Sequence, residues 1–272
     1  MKIAITGATG QLGRLVAAQL PQAIALVRDV QKATDLQNEA RAFDYNAPAP
    51  EALTGVDTLL LISGNAIGQR STQHKAVIDA AKTAGVKHIV YTSLLHADTS
   101  GLILAQEHLE TEEYLKASGI PYTVLRNGWY TENYTAGLGA ALAGGKILGS
   151  AGEGKIAAAT RADYAAAAVK VLQEPSLQGK TYELAGDHSF TLKEYAAAVS
   201  RVSGKNIPYE NLSEEDHAKA LEAGGMPAGF ASVMAGFDQG AKRGDLDHKG
   251  NELSTLIGRP TTSLEDAVSA AI

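Results

Sequence analysis

Three glycines spaced by two residues, Gly7, Gly10 and Gly13, follow a short apolar run from Lys2 to Thr6. They precede Leu15-Val16-Ala17-Ala18-Gln19-Leu20, so the order is strand, glycine turn, helix. A turn of this kind suits a pyrophosphate. Gly7 permits the tight turn, Gly10 lets the backbone come close to the phosphates, and Gly13 lets the helix pack on the strand. The helix N-terminus adds free N–H groups and a partial positive charge. Glycine spacing alone is weak; its place between strand and helix carries the reading of a dinucleotide site. The plainer alternative is a turn that needs glycine only for its backbone angles.

The second apolar run, Ala23-Ile24-Ala25-Leu26-Val27, ends at Arg28. In a NAD site, an acidic residue about 20 positions beyond the glycines takes the ribose 2′-hydroxyl. An arginine there suits a 2′-phosphate, which its planar fork binds bidentately. Lys32 stands one helical turn later and adds charge, whereas Asp29 would weaken the preference. The balance favours NADP(H). The alternative is that Arg28 and Lys32 are solvated surface charges.

The elements that must position these residues alternate along the first half of the chain. Strands are expected at 2–6, 23–27, 40–44, 57–62, 87–92 and 121–126. Helices are expected at 11–20, 30–37, 68–84 and 103–117, with a short one near 50–54. Near-continuous apolar runs such as Val56 to Ile62 fit parallel strands covered on both faces. The expected fold is α/β, a Rossmann-type doubly wound parallel sheet with ligands at the carboxyl ends of its strands. A dinucleotide-binding domain would cover 1–130. A small, mostly helical substrate lobe would cover 131–272, with 155–185 returning to the core and a helix beginning near Arg161. Thr191 and Ser213 are plausible helix caps.

Composition bounds the function. The 24 basic and 30 acidic residues give a formal charge of −6 without a polybasic run, which argues against nucleic acid as a partner. The chain has no cysteine, which removes thiolate chemistry and disulfides. Seven histidines show no metal-ligand spacing, so no metal is expected. Gly7 and Gly10 interrupt any leader-like segment, and Leu59 to Ile62 is too short an apolar run to span a bilayer. A cytoplasmic protein without membrane insertion is expected, and a homodimer is compatible with it.

Several segments together resemble the NmrA-like family of atypical short-chain dehydrogenases. They are Thr6-Gly-Ala-Thr-Gly-Gln-Leu-Gly13, Leu61-Ile-Ser63, Tyr91-Thr-Ser-Leu-Leu-His-Ala-Asp-Thr-Ser100, Leu125-Arg-Asn-Gly-Trp-Tyr130, Ala159-Thr-Arg-Ala-Asp-Tyr164 and Leu256-Ile-Gly-Arg-Pro-Thr-Thr262. Within that family the segments are most similar to its quinone-reducing branch, with dye-reducing relatives nearby. The resemblance implies direct hydride transfer from NADPH to a quinone without flavin. It also implies that Gly7, Ala8, Thr9, Gly10, Gln11, Leu12 and Gly13 hold the pyrophosphate and Arg28 the 2′-phosphate. Ser63, Gly64 and Asn65 would flank the adenosine. Asn127, Gly128, Trp129, Tyr130, Thr131 and Glu132 would line the nicotinamide and acceptor pocket. The loop Gly64-Asn65-Ala66-Ile67 and the short helix exit at Pro21-Gln22 depart from the family pattern.

Ordinary short-chain dehydrogenases use Tyr-x-x-x-Lys, yet none of the ten tyrosines here has a lysine four residues on. A quinone is already electrophilic, so position and one or two hydrogen-bond donors can suffice. The candidate catalytic residues are Asn127, Tyr130 and His108, with the backbone of Gly128 and Trp129 as further donors. His108 stands where many relatives carry lysine; it could instead pair with Glu112 one turn on. Trp129 could stack an acceptor ring or only pack the core. His96 sits in a polar loop, as a turn or a lid. Arg161 and Asp163 are expected to anchor the returning helix. Two other functions stay open: a non-catalytic NADP(H)-binding redox sensor, and reduction of another planar electrophile such as a triarylmethane dye.

Arg28→Ala should raise the Michaelis constant for NADPH far more than for NADH, by about 1.5–3 kcal/mol of lost binding. Equal effects on both cofactors in steady-state kinetics would remove Arg28 from that role.

Overall fold

Short, mostly apolar strands set the frame of the computed structural model, which describes residues 1–272. The strands are β1 (Ile3–Thr6), β2 (Ile24–Val27), β3 (Glu39–Ala42), β4 (Thr58–Leu61), β5 (His88–Leu94) and β6 (Tyr122–Asn127). The helices between them are α1 (Gln11–Gln19), α2 (Arg70–Thr83) and α3 (Ala105–Ser118). Short 3-10 turns cover Val30–Ala33 and Pro50–Leu53. The expected helix over 30–37 is thus one turn. Asp29 caps it by accepting from Gln31 N, and Thr34, Asp35 and Asn38 supply no apolar face to extend it.

Beyond β6 come α4 (Glu132–Thr135), α5 (Leu138–Gly144), β7 (Ile147–Gly149), α6 (Arg161–Gln173) and β8 (Thr181–Leu184). The tail holds α7 (Leu192–Ser203), β9 (Tyr209–Asn211), α8 (Glu214–Ala223), α9 (Ala228–Arg243), α10 (Glu252–Ile257) and α11 (Leu264–Ser269). Strand β8 was not expected; it extends the sheet beside β6. The full order is β3-β2-β1-β4-β5-β6-β8, with every neighbouring pair parallel. Strands β7 and β9 form a separate parallel pair within a region expected to be loop and helix.

Alternation along each strand sends side chains to opposite faces. Ile3, Ile5 and Leu60 pack with Val16 of α1, with Leu20 just after it, and with Tyr164 and Leu172 of α6. Ala4, Leu59 and Leu61 pack with Val77 and Ile78 of α2 and Leu115 of α3. Burying each such side chain contributes roughly 1.5–3 kcal/mol. A third cluster, with Leu94, Trp129, Phe190, Tyr195 and Phe237, joins the tail helices to the carboxyl ends of β5 and β6. The capping expectations hold: Thr191 and Glu194 form a complete capping box, and Ser213 accepts from Asp216 N.

Two glycines make the first turn. Gly7 has φ +59°, a left-handed conformation that L side chains resist. A Cβ on Gly13 would lie 2.2 Å from the Gly7 carbonyl oxygen and 2.8 Å from Ala8 Cα. Helix α1 can therefore approach the turn only through a glycine. Gly13→Ala should lose about 1–3 kcal/mol of stability in urea unfolding. Gly139→Ala meets nothing within 4 Å inside α5 and should gain up to about 1 kcal/mol. A tolerated Gly13→Ala would contradict the packing role.

Candidate active site

The carboxyl ends of β1, β2, β4, β5 and β6 open on one cleft of about 1060 Å³. It lies where the strand order reverses between β1 and β4, the place at which open α/β sheets bind ligands. Gly7, Thr9, Gly10, Gln11, Leu12 and Gly13 line its floor. No side chain caps α1 at Gly10 and no acidic residue occupies its first turn, so the helix end faces the cleft as a donor surface. Arg14 braces this turn: its Nε donates to Thr9 O at 3.1 Å, Nη2 donates to Lys32 O at 3.2 Å, and Nη1 pairs with Asp35.

Arg28 and Lys32 line the adjoining wall. Arg28 follows the last buried residue of β2 and forms no salt bridge. Asp29 does not neutralise it, since its carboxylate caps Gln31 N at 3.0 Å. The same wall carries Phe43, Asp44, Tyr45 and Asn46, which sequence reasoning missed. They follow β3 as Arg28 follows β2, so the strand-end rule would have found them. Tyr45 Oη donates to Ile62 O at 2.6 Å.

Ser63, Gly64 and Asn65 line the cleft beyond β4. Ser63 N donates to Thr92 Oγ1, and Gly64 N donates to His74 Nε2 at 3.0 Å. The second imidazole nitrogen, Nδ1, lies 3.1 Å from Thr111 Oγ1. His74 is fully buried, and its pKa is pushed down to about 3 by burial and by the charge of Arg70. Arg70, also missed from sequence as a cleft residue, donates from Nε to Gly64 O at 2.8 Å and from Nη1 to Glu107 at 3.2 Å.

At the far end, Asn127, Gly128, Trp129 and Tyr130 line the cleft. Asn127 is 4% exposed, and neither Nδ2 nor Oδ1 has a hydrogen-bond partner within the chain. Two unpaired buried polar atoms on a cleft wall call for a ligand. Gly128 N is not a free donor: it gives its hydrogen bond to Leu184 O at 2.7 Å, because β8 pairs there. Trp129 lines the cleft and packs edge-on against Phe237 with centroids 4.8 Å apart. Leu104 and Met234 complete this apolar end. Met234 and Phe237 come from α9, more than a hundred residues later, and no local signal marks them. The Tyr130 ring lies under the Arg161 guanidinium at 4.3 Å, and Arg161 also lines the cleft.

Three expected lining residues are elsewhere. Ala8 is fully buried in the core between sheet and α1. Thr131 is buried, its N–H donating to Ala159 O. The Glu132 carboxylate accepts from Arg161 N at 2.9 Å, tying α4 to α6. Asp163 does anchor its helix, accepting from Thr160 Oγ1 at 2.8 Å and from Thr262 N at 3.0 Å.

His108 lines the cleft, is 5% exposed and does not pair with Glu112. Its Nδ1 lies 2.7 Å from Tyr91 Oη. Burial, then Arg70 and His74, holds its pKa well below the ordinary histidine value. Glu112 instead receives Arg126 Nε at 3.0 Å and Nη2 at 2.8 Å. The same guanidinium reaches Glu183 at 2.8 Å and Asp98 at 3.1 Å. His96 is a turn residue with φ 54°, its N–H held by Glu183 and its Nε2 3.2 Å from His248 Nδ1.

The depressed His74 pKa links pH to stability. Below the unfolded value of 6.5 the unfolded chain binds a proton that folded His74 refuses, so stability present above 6.5 falls as pH drops toward about 3. The loss should be about 1.4 kcal/mol per pH unit, or about 2 kcal/mol by pH 5. Urea midpoints should show it, and His74→Gln should flatten the dependence. An unchanged slope in that variant would contradict the assignment.

Comparison with known proteins places this geometry. Residues 7–175 match the model of a family described as NAD(P)H-binding. The chain is 54% identical to Quinone oxidoreductase 2 of Escherichia coli, over 98% of this chain and 97% of that protein. The crystal structure of the Escherichia coli NADPH-dependent quinone oxidoreductase complexed with NADPH superposes with a TM-score of 0.93, at 53% identity, covering 98% of this chain and 99% of that one. The Citrobacter sp. triphenylmethane reductase complexed with NADP(H) superposes with a TM-score of 0.94, at 39% identity and full coverage of both chains.

Proposed function

This chain belongs to the NAD(P)H-binding family, and from that premise we propose that it is an NADPH-dependent quinone oxidoreductase acting without flavin or metal. One observation carries the proposal: the unpaired, buried carboxamide of Asn127 stands in the same cleft as the uncapped Gly7–Gly13 turn and the unpaired Arg28. The three are the groups a nicotinamide, a pyrophosphate and a 2′-phosphate require.

When bound, NADPH supplies the hydride. The backbone of Gly7, Thr9, Gly10, Gln11 and Leu12 holds the pyrophosphate, while Arg28 and Lys32 hold the 2′-phosphate. Ser63, Gly64 and Asn65 flank the adenosine and its linker. Asn127 orients the nicotinamide carboxamide through its two free polar atoms. Ala8, Gly13, Thr131 and Glu132 act through the shape of the turn and the α4–α6 junction rather than by contact. Leu104, Trp129, Met234 and Phe237 give the cleft an apolar, aromatic end that would take the acceptor ring beside Asn127 and Tyr130. That apolar end favours turnover over a sensor, which needs the cofactor but no second site. No helix is long and apolar enough to cross a membrane.

Purified, flavin-free protein should oxidise NADPH faster than NADH in the presence of 1,4-benzoquinone, with saturation in both substrates. The loss of reduced-nicotinamide absorbance measures it. Tight NADPH binding with no turnover on any quinone would replace the enzyme by a sensor.

A further inference from the structure

The cleft wall at His108 is backed by a buried polar wedge between β5, α2 and α3. Tyr91 is fully buried there, and its Oη meets His108 Nδ1 at 2.7 Å. The neighbouring Thr111 hydroxyl donates its proton to Glu107 O at 2.8 Å and faces His74 Nδ1 at 3.1 Å. The His74 tautomer follows from its other side, where Nε2 must accept from Gly64 N, so Nδ1 carries the proton toward Thr111. The best acceptor for the tyrosine proton is therefore His108 Nδ1. Were His108 Nδ1 the donor instead, the Tyr91 O–H would have to turn to Thr111 Oγ1, which already accepts from His74 and lies beyond the 2.7 Å contact that His108 makes.

We propose that Tyr91 is a positioning residue that fixes His108 as the neutral Nε2–H tautomer, and that this N–H donates a hydrogen bond to the acceptor oxygen on which negative charge develops. Nε2 has no partner within the chain, and His108 lines the same cleft as Asn127, Trp129 and Leu104. The inference rests on the quinone-reductase function above. In that reaction the quinone gains a hydride, that is two electrons and one proton, while NADPH becomes NADP⁺. The resulting quinol monoanion takes its second proton from solvent water, and His108 keeps its own. A neutral imidazole donor at a developing oxyanion stabilises charge without giving up a proton.

The surroundings favour the neutral ring. Arg70 and His74 from α2 face it, with Tyr91 from β5 and Glu107 and Glu112 from its own helix. Both nearby carboxylates are committed elsewhere, Glu107 to Arg70 and Glu112 to Arg126. No carboxylate is left to pair with an imidazolium, and the positive charge of Arg70 opposes one. The pKa of His108 lies well below its ordinary value for these reasons, burial first.

Nitrogen NMR of isotope-labelled protein bound to NADPH should show His108 protonated at Nε2 and bare at Nδ1 from neutral pH down to about pH 6. Tyr91→Phe should mix the two tautomers and lower kcat by about two- to tenfold, with the Michaelis constant for NADPH unchanged. His108→Ala should lower kcat by about a hundredfold, and His108→Gln, which restores an N–H donor, should recover part of that. The kcat profile should lack a histidine limb near pH 6.5. The Nδ1–H tautomer or an imidazolium in the unsubstituted protein would overturn the inference, whatever the variants do. So would a Tyr91→Phe protein with unchanged kcat. If Tyr91→Phe does not fold, the spectrum of the unsubstituted protein decides. If that protein turns over no quinone at all, the quinone function fails and the donor role with it; turnover with the opposite tautomer overturns this inference alone.

Discussion

A single buried guanidinium organises the reactive end of this molecule. Arg126, the penultimate residue of β6, is 10% exposed and gathers three carboxylates: Glu112 from α3, Glu183 from β8 and Asp98 from the loop after β5. Removing the guanidinium would leave the buried Glu112 carboxylate without a counter-charge, at a cost of about 3–5 kcal/mol. The arrangement locks three elements around the last residue of β6, which is Asn127. Neighbouring side chains on a strand point to opposite faces, so Arg126 can be fully paired while Asn127 stays unpaired toward the cleft. The same ion network draws Glu112 away from His108, whose pKa is held low by burial and then by the charges of Arg70 and His74.

The cleft divides by chemistry along its length. One end is built of backbone donors and unpaired cations from the first two strand ends, and it suits phosphates. The other is apolar and aromatic, and it suits a flat acceptor. Between them lie His74, Arg70 and Gly64, a hydrogen-bonded wedge that connects the two halves. The apolar end is completed only when α9 folds back, since Met234 and Phe237 pack beside Trp129. Cofactor and acceptor sites therefore depend on different folding contacts.

What the sequence made legible follows from how local each signal is. The Gly7–Gly13 turn, Arg28 and Asn127 each follow a strong apolar strand, so their place at strand ends could be read directly. The capping box at Thr191 was equally local. Strand β8 was missed because Thr181-Tyr-Glu-Leu184 is short and half exposed, with its pairing to β6 set by tertiary contact. The helix over 30–37 was overread, since Asp29 and the polar residues after it favour a single capped turn. Glu112 was placed against His108 by helical spacing, but a bidentate arginine across the sheet outcompetes a neutral imidazole one turn away. Gly128 N, expected as a free donor, is taken by Leu184 O, a consequence of the same unseen strand.

In the proposed reaction the cofactor and the quinone occupy this one cleft together, and the hydride passes directly between them. Initial rates over a grid of NADPH and 1,4-benzoquinone concentrations test it most directly. Intersecting lines in the double-reciprocal plot, showing that both substrates must be bound before either product leaves, are the result expected from an apolar slot beside Asn127. Parallel lines, showing that NADP⁺ departs before the quinone binds, would mean that reducing equivalents wait on the protein and would contradict direct transfer.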